Sequence, residues 1–237
     1  MIEILQNYWQ AYLWTDGFSP SGLRVTLQLL LASLLMGALL SLPLSILRCH
    51  RSIAVYGPVW LFTYVFRGTP LYIQLLIIYS GIYQLDVVRE HAWLDGFFRD
   101  GFKCAVVALG LNTTAYTTEM LAGTIRSISR GEVEAAKAFG FTTLDIYRHI
   151  LIPAAMRRAL PAYSNEVILM LHATAIAFTV TVSDVLKVAG DVNADTYQAF
   201  DAYGIAAALY LSVTLCLISA FRLLERRVMN TRRPLSQ

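Results

Sequence analysis

Residues 23–47 read LRVTLQLLLASLLMGALLSLPLSIL, and Arg24 is the only charged residue in this stretch. An α-helix of about 20 apolar residues crosses the hydrocarbon core of a bilayer, so the stretch is long enough to span one. The rest of the chain has the same character, because 57% of its residues are hydrophobic and only 15% are charged. A soluble domain carries about 25% charged residues. We therefore predict an integral membrane protein.

Four more apolar runs follow the first, and glycine or proline precedes several of them. Together they predict an all-α, polytopic membrane protein with about five transmembrane helices in a single domain that covers residues 1–237. The N-terminus lacks the basic segment and the cleavage site of a signal peptide. Its apolar residues, Leu5 and Trp9 among them, predict a helix at the membrane interface. We place the spans at residues 23–47, 59–83, 103–123, 160–182 and 203–224.

The basic residues are concentrated in the segments that follow the first, third and fifth spans, and the acidic residues in the others. Loops rich in lysine and arginine stay in the cytoplasm. We therefore predict that the N-terminus is periplasmic, that the C-terminus is cytoplasmic, and that residues 124–159 form the longest cytoplasmic loop. Because the basic residues flank apolar runs and form no basic face, they do not indicate a nucleic-acid partner.

The sequence has none of the patterns expected of a catalytic, metal or phosphate site. Cys49, Cys104 and Cys216 have neither a CxxC spacing nor a histidine cluster, so we predict no disulfide and no metal site. There is no phosphate-binding loop, no HExxH and no GxSxG. We therefore predict a chain without catalytic residues that binds no cofactor itself.

Polar residues inside the second and third spans are candidates for function. Arg67 and Gln74 are costly in lipid, and Pro70 between them removes a backbone hydrogen bond, which predicts a kinked helix facing the bundle interior or water. Tyr116 and Glu119 lie in a polar segment that suits an interior helix. These residues either line a pathway or serve packing alone, with Glu119 bonded to a neighbour.

Span four contains Asn165 and Glu166, and an intramembrane carboxylate is a candidate functional site. A cationic ligand would neutralise Glu166, and so would a structural partner such as Arg67 or the Asn165 amide. His172, two turns further on, is interpreted as a packing residue. From the residues themselves we select a candidate lining of a substrate pathway: Arg67, Tyr116, Glu119, Asn165 and Glu166.

The cytoplasmic loop predicts two short helices. Residues 132–139 read EVEAAKAF, which favours a helix, and Gly140 can end it in the left-handed conformation. Thr142 can cap a second helix, which we expect to end near Ile152, before Pro153. Amphipathic helices need a surface that covers their apolar faces. That surface is either the protein's own spans and the lipid, or another protein.

The same loop resembles the EAA signature of bacterial ABC importer permeases. Residues 134–136 read EAA, Gly140 follows after three residues, and Ile150 follows after nine more, with Pro153 behind it. The resemblance implies that the loop couples the permease to an ATPase through Glu134, Ala135, Ala136, Gly140, Ile150 and Pro153. Segments elsewhere are similar to the polar amino acid branch of that family: residues 21–27, 67–71, 115–119 and 160–166.

The resemblance implies a type I importer fold, and within the branch the chain resembles the M-type subunits of importers for histidine, lysine, arginine and ornithine. Such a subunit would form a heterodimer with a homologous Q-type permease in the bacterial inner membrane. Two cytoplasmic ATPase subunits, which hold ATP and Mg²⁺, would dock on the loops, and a periplasmic binding protein would deliver the amino acid. Two alternatives are kept: a permease for another polar amino acid, and a channel-like membrane subunit outside the ABC class.

Overall fold

The computed structural model describes residues 2–229, and it is helical with no β-strand longer than an isolated bridge among them. The predicted all-α fold class is confirmed. The helices in chain order are α1 Ile2–Leu13, α2 Gly22–Arg48, α3 Ile53–Gly68, α4 Leu71–Leu76, α5 Asp86–Glu90, α6 Ala92–Phe98, α7 Gly101–Arg126, α8 Arg130–Ala138, α9 Thr143–Asp145, α10 Ile152–Ala173, α11 Val185–Thr196 and α12 Ala199–Met229.

Two of these helices, α2 and α12, are long and apolar enough to cross a membrane, and α3 with the segment after it makes a third span if the bent pair is counted as one. They cover the predicted first, fifth and second spans. Helices α7 and α10 cover the third span and most of the fourth and are also long enough, but they are more polar. That polarity is expected of helices that face the interior of a bundle.

Helix α7 lies at the centre of the bundle, where it contacts α2, α3, α4 and α10. Its contact with α2 is close because small residues lie at the interface. A Cβ atom on Gly37 would be 2.5 Å from Cγ2 of Thr113, and one on Gly110 would be 2.6 Å from Sδ of Met36. Thr114 on the same helix is fully buried. The prediction of an interior helix packed through small residues and hydroxyl groups is therefore confirmed.

The second span is not the single kinked helix that we predicted over residues 59–83. Helix α3 ends at Gly68, and the backbone turns by 107° into α4 and the π-helical and 3-10 turns that continue it to Gln84. Pro70 has no N–H to donate, and Thr69 before it is extended. Proline disfavours the helical conformation of its predecessor, and at this position the chain breaks instead of bending.

Side chains from two helices complete the hydrogen bonding at this break. The carbonyl oxygen of Phe66 accepts from Nε2 of Gln74 at 2.8 Å and from Nδ2 of Asn112 at 3.2 Å. The Asn112 amide also donates to Oε1 of Gln74, at 3.2 Å. A carbonyl that loses its helical partner inside a membrane protein needs such donors, so the break is a built feature of the fold.

We predicted that the second helix of the cytoplasmic loop ends near Ile152, and this prediction is wrong. Helix α9 begins at a capping box formed by Thr142 and Asp145, a π-helical turn covers Ile146–Leu151, and α10 continues from Ile152. The ring of Pro153 would clash with the carbonyl four residues earlier in a regular helix. The wider π turn relieves that clash, so the helix runs on into the predicted fourth span.

The end of the fourth span also differs from the prediction. Helix α10 ends at Ala173, and a 3-10 segment covers Thr174–Val180 before α11, which the sequence analysis did not anticipate. Asp184 caps α11 by accepting from the backbone N–H of Lys187 at 2.8 Å. The chain then passes into α12, which begins four residues earlier than the predicted fifth span.

Helix α1 was expected at the membrane interface, and the structure packs one of its faces on other helices. Ile4 and Tyr12 are buried against α11 and α12, and the Tyr12 hydroxyl donates to the carbonyl oxygen of Ala202 at 3.0 Å. Leu5 and Trp9 are half exposed on the other face. The helix is therefore packed on the bundle, with an apolar outer face.

We expect Gly101→Ala to destabilise the protein, because a Cβ atom there would be 1.8 Å from the backbone oxygen of Val180. A backbone atom cannot move aside as a side chain can, and overpacking of this kind costs about 1–3 kcal/mol. Gly123→Ala in the same helix is the control, since its Cβ meets nothing within 4 Å. Thermal unfolding of the detergent-purified protein measures both, and equal midpoints would contradict the contact.

Candidate functional site

An ion pair and a hydrogen bond to the same carboxylate join three helices near the predicted cytoplasmic side. Nε of Arg48, at the end of α2, lies 2.6 Å from Oε1 of Glu119 on α7. The hydroxyl of Thr63 on α3 donates to the same oxygen at 2.7 Å. The structure therefore agrees with the packing interpretation of Glu119, in which the residue is bonded to its neighbours. The sequence analysis assigned Arg48 only to membrane orientation and did not select Thr63.

Arg67 lies one turn beyond Thr63, at the last turn of α3. Its guanidinium carbon is 5.3 Å from the centre of the Tyr116 ring, within the range of a cation–π contact. Its charge also acts on the carboxylates of Glu119 and Glu166. Tyr116 thus lies against this arginine, and two more of the predicted pathway residues, Glu119 and Glu166, lie within reach of its charge.

A cavity of about 270 Å³ opens beside these groups, between α2, α3 and α7. It contains charges of both signs and two aromatic rings, since Trp60 and Tyr64 stack with their centroids 5.2 Å apart. Such a mixture suits a small ligand that carries both charges. The residues that line it are Arg48, Trp60, Thr63, Tyr64, Arg67, Gly68 and Glu119.

Glu166 lies on α10, with 9% of its surface exposed and the hydroxyl of Thr113 beside its carboxylate. Asn165, one residue earlier, is exposed on another face of the helix. Of the five predicted pathway residues, Asn165 is the one that the structure does not bring to the cluster. His172 also points elsewhere, because its Nε2 lies 3.3 Å from the Thr214 hydroxyl of α12.

Asp184, between α10 and α12, is a second buried carboxylate that the sequence analysis did not select. Burial raises its pKa to about 6, although the backbone of Lys187 and the hydroxyl of Tyr210 both donate to it. The bond from Tyr210 holds the start of α11 against α12, and the backbone N–H of the next residue, Val185, donates to the hydroxyl of Thr26 on α2, so the role of Asp184 is structural. The sequence did contain a signal for this role, because an aspartate directly after an apolar run can cap the helix that follows.

The cytoplasmic loop packs in part on the protein itself. Ala136, Ile146 and Leu151 are buried in a cluster with Ile125 and Ile128 at the end of α7. This contact agrees with one of the two surfaces that the sequence left open, the protein's own spans. Ile150 and Pro153 are partly buried beside it, and the hydroxyl and backbone N–H of Thr142 hold the pKa of Asp145 below its usual value.

Another part of the loop is uncovered. Phe139 is 83% exposed and Leu144 is 75% exposed, and they flank Gly140, whose φ is +81°. Glu134 and Ala135 are also exposed on α8. Exposed large apolar side chains around a defined turn mark a surface for another protein. Of the predicted coupling residues, Glu134, Ala135 and Gly140 are therefore exposed, whereas Ala136 is buried against the permease.

Comparison with known proteins gives the family. The family model described as binding-protein-dependent transport system inner membrane component matches residues 33–230. The histidine/lysine/arginine/ornithine transport system permease protein HisM of Salmonella typhimurium (strain LT2) is 57% identical over 227 residues, which are 96% of this chain and 97% of that protein. HisM of Escherichia coli (strain K12) is 56% identical over 236 residues, 100% of this chain and 99% of its own.

A solved structure described as an amino acid ABC transporter with histidines has a similar fold. Its TM-score is 0.76 at 32% identity, with 87% of this chain and 92% of that chain covered. The residues that the family model matches, 33–230, include those that form the ion pair, the cavity and the loop. The similarity excludes the alternative of a channel-like subunit outside the ABC class, because the family and the fold are both those of transporter permeases. This chain belongs to the family of inner membrane components of binding-protein-dependent transport systems, and its fold is that of a type I ABC permease.

Proposed function

We propose that the chain is the membrane-spanning permease subunit of an ATP-driven importer for histidine, arginine, lysine and ornithine. The observation that carries the proposal is the similarity along nearly the whole chain to permeases named for these four amino acids. The cluster around Arg67 supports it, since Glu119 and Glu166 provide carboxylates near an open cavity between α2, α3 and α7. A cationic substrate needs such acceptors within a membrane.

The partners are proposed in the same way. The exposed loop around Gly140 would receive a cytoplasmic ATPase, which binds ATP and Mg²⁺, and a periplasmic binding protein would deliver the amino acid. We further propose that the membrane domain is a heterodimer with a Q-type permease and that two ATPase copies serve it. The coupling loop has the exposed apolar side chains that such docking requires, Phe139 and Leu144.

Reconstitution tests the function directly. The chain would be expressed with its proposed partners, which are the Q-type permease, the ATPase and the binding protein. The complex would be purified in detergent and placed in proteoliposomes. We expect the ATPase to co-purify and labelled arginine, lysine and histidine to enter the vesicles only with ATP and the binding protein. Uptake of other polar amino acids alone would assign a different substrate, and uptake without ATP would contradict the proposal.

We expect an N-terminus in the periplasm and a C-terminus in the cytoplasm, because the basic residues follow spans one, three and five. In a chain without native cysteines, a cysteine in place of Ser19 should react with an impermeant maleimide in spheroplasts. A cysteine in place of Glu134 should react only after permeabilisation. Both positions are exposed in the structure, so poor access would not explain a failure. The reverse pattern would overturn this topology.

A further inference from the structure

The cavity between α2, α3 and α7 carries an inference that rests on the proposed function and goes beyond it. Glu166 lies outside this cavity, beside Thr113, whereas Glu119 and Arg67 line it. Glu119 is seven residues before the end of α7, and Thr113 is nearly two turns further from that end. The cavity therefore lies on the predicted cytoplasmic side of Glu166, as a separate place along the same route.

Arg67 contributes a cation that the described part of the chain leaves largely unused. Its guanidinium lies over the ring of Tyr116 but forms no hydrogen bond or ion pair within residues 2–229. Arginine presents its N–H groups as a planar fork, which matches the two oxygens of a carboxylate. The aromatic contact fixes the position of the side chain and leaves those donors available to a ligand.

Glu119 contributes an acceptor that is only half used. Arg48 and Thr63 both bond to Oε1, and no hydrogen bond from the described residues reaches Oε2. An ionised carboxylate has acceptor sites on both oxygens. Because Arg48 and Thr63 hold Oε1 in place, Oε2 is a fixed acceptor at the wall of the cavity, suited to an ammonium group.

Trp60 and Tyr64 form the third element of the cavity. Their stacked rings line it and are themselves partly exposed. Aromatic faces accept aliphatic stems, imidazole rings and cations with little selectivity among them. A wall of this kind tolerates the side chains of different amino acids, whereas Arg67 and Glu119 contact only charges of fixed sign.

We propose that this cavity binds the head group common to all the transported amino acids. Arg67 donates to the α-carboxylate, Oε2 of Glu119 accepts from the α-ammonium, and the side chain lies toward Trp60 and Tyr64. Recognition of the head group is thereby separate from recognition of the side-chain charge at Glu166. The cavity thus requires an α-amino acid and does not select which one.

The test is direct binding to the assembled importer in nanodiscs, without the binding protein. Titrations would use arginine and arginine methyl ester, whose α-carboxylate charge is removed. We expect Arg67→Gln to weaken arginine binding about tenfold or more and to leave ester binding nearly unchanged. Arg67→Lys should weaken arginine binding less than Arg67→Gln does, since lysine keeps the positive charge. Arg51→Gln, at an exposed arginine in the α2–α3 loop, is the control.

The same variants in proteoliposomes give the second readout. Uptake of arginine, lysine and histidine should fall by a similar factor in Arg67→Gln, while the ATPase still co-purifies. Equal weakening of arginine and its ester, a loss for some substrates only, unchanged affinity, or no arginine binding to the wild-type importer would each overturn the proposal. If the wild-type importer transports none of these amino acids, the proposed function fails instead.

Discussion

Replacing Gly140 by aspartate should abolish transport while the protein still inserts into the membrane. Gly140 has a φ of +81° in the turn between α8 and α9, and a Cβ atom there would meet nothing within 4 Å. Aspartate tolerates left-handed backbone better than most residues, so the turn itself should form. The loss is expected because a charged side chain would project between Phe139 and Phe141, where we propose that the ATPase docks.

Two further variants separate charge from shape. Gly140→Asn adds nearly the same volume without the charge and should retain part of the uptake. Gly131→Asp places the same charge on α8, where a Cβ atom also meets nothing within 4 Å, and it should transport normally. The measurements are membrane insertion, uptake, and ATPase stimulation by the loaded binding protein. If uptake and stimulation both survive in Gly140→Asp, the docking role of this turn is wrong.

Glu134 was selected for the same role, and its exposure on α8 is compatible with it. Ala136 is different, since it is buried against the end of α7. Residues 134–136 therefore include one residue that holds the loop on the permease and others that face outward. Sequence alone could not divide it in this way, because the residues are neighbours and their burial depends on α7, which precedes them in the chain.

The helices that depend on local pattern were predictable, and those that depend on distant partners were not. Apolar length placed α2, α7 and α12 within a few residues. The break at Pro70 exceeded the predicted kink because Asn112, some forty residues away, supplies the hydrogen bond that a broken helix needs. The continuous helix through Pro153 likewise depends on a π turn, for which the sequence has no reliable signal.

The site shows the same limit. The residue types Arg67, Tyr116, Glu119 and Glu166 could be chosen because polar groups are costly in lipid. Arg48 was assigned to orientation, as basic residues at span ends usually are, although its partner Glu119 lies 71 residues further on. Asn165 and Glu166 are adjacent, and successive helical residues point about 100° apart, so only the packing of α10 decides which one is buried.

Glu166→Gln should reduce the transport of arginine and lysine more than that of neutral histidine. Glutamine preserves the shape of the side chain and removes its charge. The carboxylate is nearly buried beside Thr113, and an unpaired buried charge is costly, so it requires a cation or donors. If that cation is the substrate, its loss weakens the interaction by about tenfold for each permanently charged substrate.

Histidine provides an internal control for this interpretation, because a free imidazole has a pKa of about 6.5. At about pH 8 histidine is neutral, and its uptake by Glu166→Gln, relative to the wild type, should be nearly normal. At about pH 5.5 it is cationic, and the same ratio should fall toward that of arginine. Glu90→Gln, at an exposed carboxylate outside the spans, should leave all the ratios unchanged.

A structural role for Glu166 predicts a different result, because Arg67 also acts on this carboxylate. In that case the substitution would leave Arg67 less well neutralised whichever amino acid is transported. Uptake of every substrate would fall equally at both pH values, and less ATPase would co-purify with the chain. Unchanged uptake of all substrates would rule out both roles. A selective loss with normal assembly and normal basal ATPase activity would assign Glu166 to the side-chain cation of the substrate.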